Sequence, residues 1–574
     1  MPIQLSPALA ALAAALLFLA LWVRRRRRIQ RAIENIPGPL RAPGSGTMCC
    51  CTTRTTAGTS STRSTRTTEA CAGSRRPARA SLSLPPRARL TRTQCNDLVY
   101  LSDPLALNQM CRRVRPLSEC RTTACMLTPA RAGREHLDDP PEIHLMLQMV
   151  LGTKGLGSTH GAEHVRQRKY LNPIFGASYL KHMPPLFYEF IESLKTLCTE
   201  GPTEMDMSHW GTRVSLEFVG QGAMGVSLDS LAVDAQPNLY GEDLKGGFVA
   251  LSVPAARLGV KYLLPRIASL RTPRFNRWLL NLVPSPLVAV IKTFIWELER
   301  NSQEMFQEKK RALMSGRDAS VGKDLMTAII SEHVLTDKPD RVSEEEATSH
   351  FRTLLFAATD TSSSAILRTL QLLSEHADVQ DALRAEIRAA KEEGGGSIAY
   401  DRLLALPWLD AVYRETLRLY PPAGFIDRMA LQDTVLPLAF PITGRDGTAL
   451  RELVLPRGSV VTMSLVGVNR STAVWGADAG EWRPQRWMAP LPESVKTSRM
   501  PGIYSHILTF LDGKRHCLGY RYVQMELKIL ISEVVAALKF EPSVHADKIA
   551  WPMGLTLSPH VDGRMSMPLK ISHA

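Results

Sequence analysis

A lone cysteine held between glycines at the mouth of a helix constrains this chain more than any other feature. The segment runs Phe510-Leu511-Asp512-Gly513-Lys514-Arg515-His516-Cys517-Leu518-Gly519, and residues 520 to about 538 follow it with helical apolar spacing. A cysteine is ordinarily a small buried hydrophobe. Here it stands two residues after an arginine and just before a helix, where backbone N–H groups and the positive end of the helix dipole favour a thiolate. Glycines on both sides let a flat cofactor approach the backbone. The pattern suits a soft metal ligand. Beyond residue 140 only Cys198 accompanies Cys517, so the body reads as a protein of a reducing compartment, with no disulfide framework.

The body is mainly α with small β-sheets. Residues 187–199, 287–313, 344–376 and 378–391 carry apolar side chains at helical spacing, and 434–468 reads as β-rich with Pro, Gly and Asp-Gly punctuation. No internal repeat is visible. The net charge of +15 is concentrated at the amino-terminal end: residues 1–40 hold six Arg and one Glu, and 41–140 hold sixteen Arg and seven acids. The body is left nearly neutral, which argues against nucleic acid as a partner.

Residues 8–23 are an unbroken run of sixteen apolar residues, followed at once by Arg24 to Arg28. With residues 5–7 added the run is about 28 Å long as a helix, close to the ~30 Å hydrocarbon core. A cleavable signal peptide carries its charge before the apolar run, and arginines stay cytosolic. Residues 1–40 therefore read as a single transmembrane signal anchor with a proline hinge at Ile36-Pro37-Gly38-Pro39, with a cleaved targeting peptide as the alternative. The expected location is the endoplasmic reticulum membrane, single-pass, with the catalytic domain in the cytosol.

Residues 41–141 are anomalous. Fifteen of the seventeen residues at 52–68 are Thr, Ser or Arg, with no period that would bury a face. The stretch reads either as a low-complexity linker or as a shifted reading frame. An ordinary globular pattern returns only in the island 96–110, and the catalytic domain is expected over 142–574.

The cysteine segment resembles the haem-binding signature F-x-x-G-x-R-x-C-x-G of the cytochrome P-450 family at every fixed position. That resemblance implies the family's mainly helical fold and heme b, iron-protoporphyrin IX with an axial thiolate. Cys517 would be the metal ligand and Arg515 would pair with a haem propionate. Phe510 would pack beside the sulfur, and Gly513 would admit the cofactor. Glu415-Thr416-Leu417-Arg418 resembles the E-x-x-R helix, whose i, i+3 spacing puts both groups on one face. Within Trp482-Arg483-Pro484-Gln485-Arg486-Trp487, Arg486 would join that pair in a structural network. Ala357-Ala358-Thr359-Asp360-Thr361-Ser362 is similar to the oxygen-activating segment, with Asp360 and Thr361 as catalytic residues that relay protons; Ala358 replaces the usual glycine. The helix around Arg168 resembles the one carrying W-x-x-x-R, with His164 in the tryptophan position, and both would bind the cofactor. Arg428, after Tyr420-Pro421-Pro422, matches a further propionate arginine. The resemblance covers the anchor, the island and residues from about 143 onward. His516 to Arg521 and Gly467 to Arg470 read like fungal microsomal members.

The family resemblance implies a monooxygenase of secondary metabolism that oxidises a lipophilic small molecule with O2. Its partners would be an NADPH-dependent cytochrome reductase, cytochrome b5 as a further donor, and membrane lipid. The apolar stretch at 279–296 fits a substrate entering from the bilayer. Two alternatives stand beside it: a reductase-independent haem-thiolate isomerase or dehydratase, and a non-functional haem-binding product of a faulty gene model.

Overall fold

The structure is a computed structural model. It describes residues 23–24, 27–30, 32, 36, 90–92, 98–112, 115–116, 137–176, 180–181, 202–228, 239–260, 281–315, 324–336 and 341–574 apart from 553. The apolar run at 8–22, the low-complexity residues 52–68 and the helix expected at 187–199 lie outside the described residues. Among the described residues no helix is long and apolar enough to cross a membrane.

Helices form most of the described chain: α1 (Pro104–Arg112), α2 (Pro141–Leu151), α3 (Gly161–Ile174), α4 (Met207–Phe218), α5 (Leu239–Ser252), α6 (Pro286–Met314), α7 (Glu344–Glu375), α8 (Ala377–Glu393), α9 (Pro407–Leu419) and α10 (Tyr520–Ala537). The helices expected at 287–313, 344–376, 378–391 and 520–538 correspond to α6, α7, α8 and α10 within two residues. The 32-residue α7 starts where the sequence supplies every signal for it. The Ser343 side chain accepts the Glu346 N–H at 3.2 Å, and Glu344 to Glu346 place three acids at the positive end of the helix. It then runs between α4, α6, α9 and α10, burying Phe351, Leu355, Ile366 and Leu370. With α10, nearly all buried from Tyr522 to Val535, it forms the centre of the core.

The strands are β1 (Leu90–Arg92), β2 (Leu98–Leu101), β3 (Arg115–Pro116), β4 (Leu137–Asp138), β5 (Thr203–Asp206), β6 (Phe425–Ala430), β7 (Thr434–Thr443), β8 (Ala449–Leu455), β9 (Val460–Ser464), β10 (Leu538–Pro542), β11 (His560–Val561), β12 (Arg564–Met565) and β13 (Pro568–His573). A five-stranded sheet has the order β1-β2-β9-β6-β4, with β2 parallel to β9 (Leu98 opposite Val460) and the other pairs antiparallel. A second sheet is β3-β7-β8 and a third β10-β13-β5. The island at 96–110 thus joins the catalytic body. Its Asp103, nearly fully buried, accepts the N–H groups of Leu105 and Ala106 at 3.0 Å, so starting α1, and those of Ala439 and Phe440 of β7 at 3.0 and 3.1 Å. β4, which lies inside the stretch set apart at 41–141, pairs with β6. Residues 465–468, the end of the stretch expected as β-like, fold with Asn469 as a helical turn because Ser464 Oγ caps the Gly467 N–H at 2.9 Å.

Candidate active site

The loop before α10 is shaped by its own backbone. The Cys517 N–H donates to the Phe510 carbonyl at 2.8 Å, closing the loop on itself, and the Gly519 N–H is directed to the Cys517 sulfur. Burial pushes the Cys517 thiol up, while the Gly519 N–H and the Arg168 guanidinium pull it down towards the thiolate. Phe510 is buried beside it, with Tyr504 edge-on at 6.0 Å. Gly513, expected to admit the cofactor, also has a structural task. Its φ is +68°, and a Cβ there would stand 1.9 Å from the Cys111 carbonyl of α1. Only glycine lets the end of α1 close on the loop, and Asp512 reinforces that closure by accepting Arg112 Nε at 2.7 Å and the Gly502 N–H at 3.0 Å. Gly519 differs: a Cβ there would meet nothing closer than Phe175 at 4.0 Å.

α3 lies across this loop because alternate residues of its basic face have different partners. Arg166 and Tyr170 bond Glu346 of α7 at 2.6 and 2.9 Å, with Gln167 at 3.0 Å, docking α3 on the start of α7. Arg168 turns instead towards the cysteine loop, donating to the His516 carbonyl. His164 is buried; burial first, then the charges of Arg515 and Arg168, push its imidazole down to about 3, so it is neutral. Its Nδ1 and Arg168 Nε are buried without a hydrogen-bond partner among the described residues.

Next to these lies a cluster that the sequence reading missed. Arg515 donates to the Thr159 carbonyl at 2.8 Å, and its Nη2 lies 2.7 Å from His160 Nδ1 and 3.6 Å from Asp138. Arg428 pairs with Asp139. Against burial, which raises it, His160 and the Asp139 N–H hold the Asp138 carboxyl below its ordinary range. The ligand atoms of Asp138, Asp139 and His160 lie within 4.8 Å of one another, as a metal site would require, but Arg428 and Arg515 already supply the positive charge. Asp138 and Asp139 fall in the stretch that had been set apart, which is why no local pattern pointed to them.

The structural trio is assembled as the spacing implied. Arg418 donates Nε and Nη2 to the two oxygens of Glu415, both at 2.8 Å, with both side chains fully buried. Arg486 Nε reaches Glu415 at 3.3 Å and its Nη1 reaches Asp478 at 3.1 Å. Trp487 Nε1, which had no assigned role, donates to Glu415 at 2.9 Å, and Arg418 also bonds the Asn469 and Ala479 carbonyls at 2.8 and 2.7 Å. Asn469 in turn holds the Leu508 N–H at 2.8 Å and Thr509 at 3.0 Å. The network therefore braces the cysteine loop from behind.

On α7, Thr361 Oγ1 donates back to the Ala357 carbonyl at 2.6 Å, so its oxygen is left to accept. Asp360 accepts from Thr556; burial raises its carboxyl above the ordinary range, while Thr556 and Lys245 pull it down. Its neighbour Ser362 donates to Glu526 Oε2 of α10 at 2.8 Å, tying the acid-bearing helix to the helix headed by the cysteine loop. Glu526 Oε1 has no partner among the described residues, and burial pushes this carboxyl from 4.5 up to about 8. The fold thus holds a proton that the unfolded chain releases, and stability present below about pH 4.5 is lost as pH rises towards 8. Glu526→Gln, neutral at every pH, is expected to melt higher than wild type at about pH 8, by about 3 kcal/mol, with the difference closing towards pH 5. Melting curves across that window check it.

The donor set fits a haem. A sulfur stands at the head of a helix with the Arg168 guanidinium acting on it, two buried nitrogens, Arg168 Nε and His164 Nδ1, lack partners among the described residues, and Gly519 leaves open space beside the loop.

The family model for Cytochrome P450 matches residues 138–560. The chain is 62% identical over 574 residues to the cytochrome P450 monooxygenase eriI of Hericium erinaceus, covering 98% of both chains. It is 36% identical over 427 residues to a ganoderic acid synthetase of Ganoderma lucidum, covering 72% of this chain and 77% of that one. A crystal structure of a cytochrome P450 superposes with a TM-score of 0.60 at 18% identity, over 85% of this chain and 95% of that one.

Proposed function

The chain belongs to the cytochrome P450 family, and on that premise we propose that it is a membrane-anchored fungal monooxygenase that oxidises a lipophilic small molecule with electrons from an NADPH-dependent cytochrome reductase, cytochrome b5 serving as a further donor. Its cofactor would be heme b. Bound haem supplies the oxygen activation and the oxidising power; the chain supplies the ligand, the anchoring charges, the proton path and the pocket.

Cys517 would supply the ligand to the haem iron, kept at the head of α10 by the Phe510 carbonyl and the Gly519 N–H. Arg168, Arg515 and Arg428, with His164, would bind the propionates, and Arg168 Nε and His164 Nδ1 have free capacity for this. Thr361, its hydroxyl proton committed to Ala357, presents lone pairs that orient a water. Asp360 Oδ1, the oxygen that Thr556 does not engage, takes a proton from solvent and passes it to that water. The raised carboxyl shortens the energetic step of that transfer at neutral pH. One turn before Asp360, Phe356 of α7 stacks on Phe248 of α5 at 4.9 Å. Leu282, Val290 and Trp296 stand exposed at the start of α6, which supports entry of an apolar substrate from the bilayer.

The observation that carries this proposal is the Cys517 loop, with Arg168 Nε and His164 Nδ1 beside it lacking partners among the described residues. Membranes from cells expressing the full chain are expected to show the red-shifted ferrous–CO Soret band of a thiolate-ligated haem and NADPH-dependent product formation. No band overturns the proposal, and a band without turnover favours a non-catalytic haem protein. Asp360→Asn keeps the shape and removes the proton; turnover is expected to fall about 100-fold with the CO band unchanged. Residues 1–40 would anchor the enzyme in the endoplasmic reticulum with its body cytosolic. Sequencing the transcript across 41–141 decides between a linker and a frame error.

A further inference from the structure

Asp360 is held from outside its own helix. Thr556 Oγ1 donates to Asp360 Oδ2, and Thr556 sits in a segment anchored on three other elements. The Leu555 N–H donates to Ser252 at the end of α5 at 2.8 Å, and the Leu557 N–H to the Pro422 carbonyl, just beyond α9, at 2.9 Å. Trp551 Nε1 donates to Gln371, three turns further along α7, at 2.8 Å. Gly554 is packed so closely that a Cβ there would stand 2.8 Å from Ser252 Oγ. The Thr556 hydroxyl is therefore a fixed point and not a passing surface contact. The positive charge of Lys245 on α5, whose Nζ donates to the Ser208 carbonyl at 3.3 Å, also acts on the Asp360 carboxyl.

An acid that passes a proton through water needs its carboxyl fixed to within a fraction of a hydrogen bond, because misplacement by about 1 Å can cost as much as 100-fold. On α7 alone an aspartate has several rotamers, and the charge of Lys245 is near enough to act on the carboxyl. We propose that Thr556 is a positioning residue for the acid of the proton path: by holding Oδ2 it leaves Oδ1 turned to the water that Thr361 orients, and it keeps the carboxylate from collapsing onto Lys245. This rests on the monooxygenase reading above. It adds a residue 196 positions from the acid, outside every motif that marks the site.

The test uses the full-length enzyme with its reductase and whichever of dodecanoate, a terpenoid alcohol or naphthalene the wild type oxidises. Thr556→Val removes the hydroxyl and keeps the volume; Thr556→Ser keeps the hydroxyl. Each is driven by NADPH and, separately, by cumene hydroperoxide, which brings its own reduced and protonated oxygen. For Thr556→Val the NADPH-driven kcat is expected to fall about tenfold with KM unchanged and more hydrogen peroxide released, while the hydroperoxide-driven rate holds. Thr556→Ser is expected to recover to within about twofold of wild type. An NADPH-driven kcat equal to wild type in Thr556→Val, an equal fall in both rates, or failure of serine to rescue would each overturn the proposal. A wild type without the thiolate CO band sinks the monooxygenase reading instead.

Discussion

Cys517→Ala is expected to yield a protein without the red-shifted ferrous–CO band and without NADPH-driven product, while the core stays folded. The loop should stay closed without the sulfur, because it is closed by the Cys517 N–H, a backbone group that survives the substitution. What disappears is the one soft donor. Neither Arg168 nor Gly519 can replace it, since both donate hydrogens and neither offers a lone pair to a metal. Cys517→Ser separates ligand chemistry from shape: its hydroxyl is nearly isosteric but stays protonated at neutral pH, so pigment, where retained, should show an unshifted CO band. Absorption of the purified variants, with circular dichroism as the folding control, checks this. A Cys517→Ala protein that kept the wild-type spectrum would remove the basis for every role assigned around the loop.

Glu415→Ala is expected to be as damaging by a different route. Glu415 receives Arg418 through two bonds, Arg486 Nε, the Arg483 N–H and Trp487 Nε1. Removing the carboxylate leaves two guanidinium groups in a site with no access to water, and breaking a buried pair in this way costs about 3–5 kcal/mol. The loss should appear first as poor haem retention, because Arg418 holds Asn469 and Asn469 holds Leu508 and Thr509 at the entrance of the cysteine loop. Glu415→Gln keeps the acceptor and some of the geometry and should fall between the two. Haem-to-protein ratio and melting midpoint give the readout, and a Glu415→Ala protein with full haem content would refute the assignment.

The parts of the site that were legible in the sequence are those whose partners lie at short, patterned spacing. Glu415 and Arg418 share a helix face, and Cys517 announces itself through the residues before it. The long helices were legible for a similar reason: α7 carries its own cap and acidic first turn. What escaped are contacts between segments with no periodic relation. Thr556 meets Asp360, Trp487 meets Glu415, and Asp138 meets Arg515 only because the chain folds back over long stretches of sequence. Gly513 shows another kind of gap. A glycine near the expected ligand site carries a second requirement, its positive φ and the close Cys111 carbonyl, that no local pattern announces. Residues 465–468 went astray because a β-like composition was overruled by a single serine cap.

One pair of contacts has a consequence for natural variation. Arg112 at the end of α1 pairs with Asp512 in the cysteine loop; Asp138 of β4 and Asp139 just after it pair with Arg515 of that loop and with Arg428 of β6. Both α1 and β4 are thus tied to the loop that carries the sulfur. Alleles altered at Arg112 or Asp138 should therefore betray themselves as pale or unstable pigment, well before any change in what the enzyme prefers to oxidise.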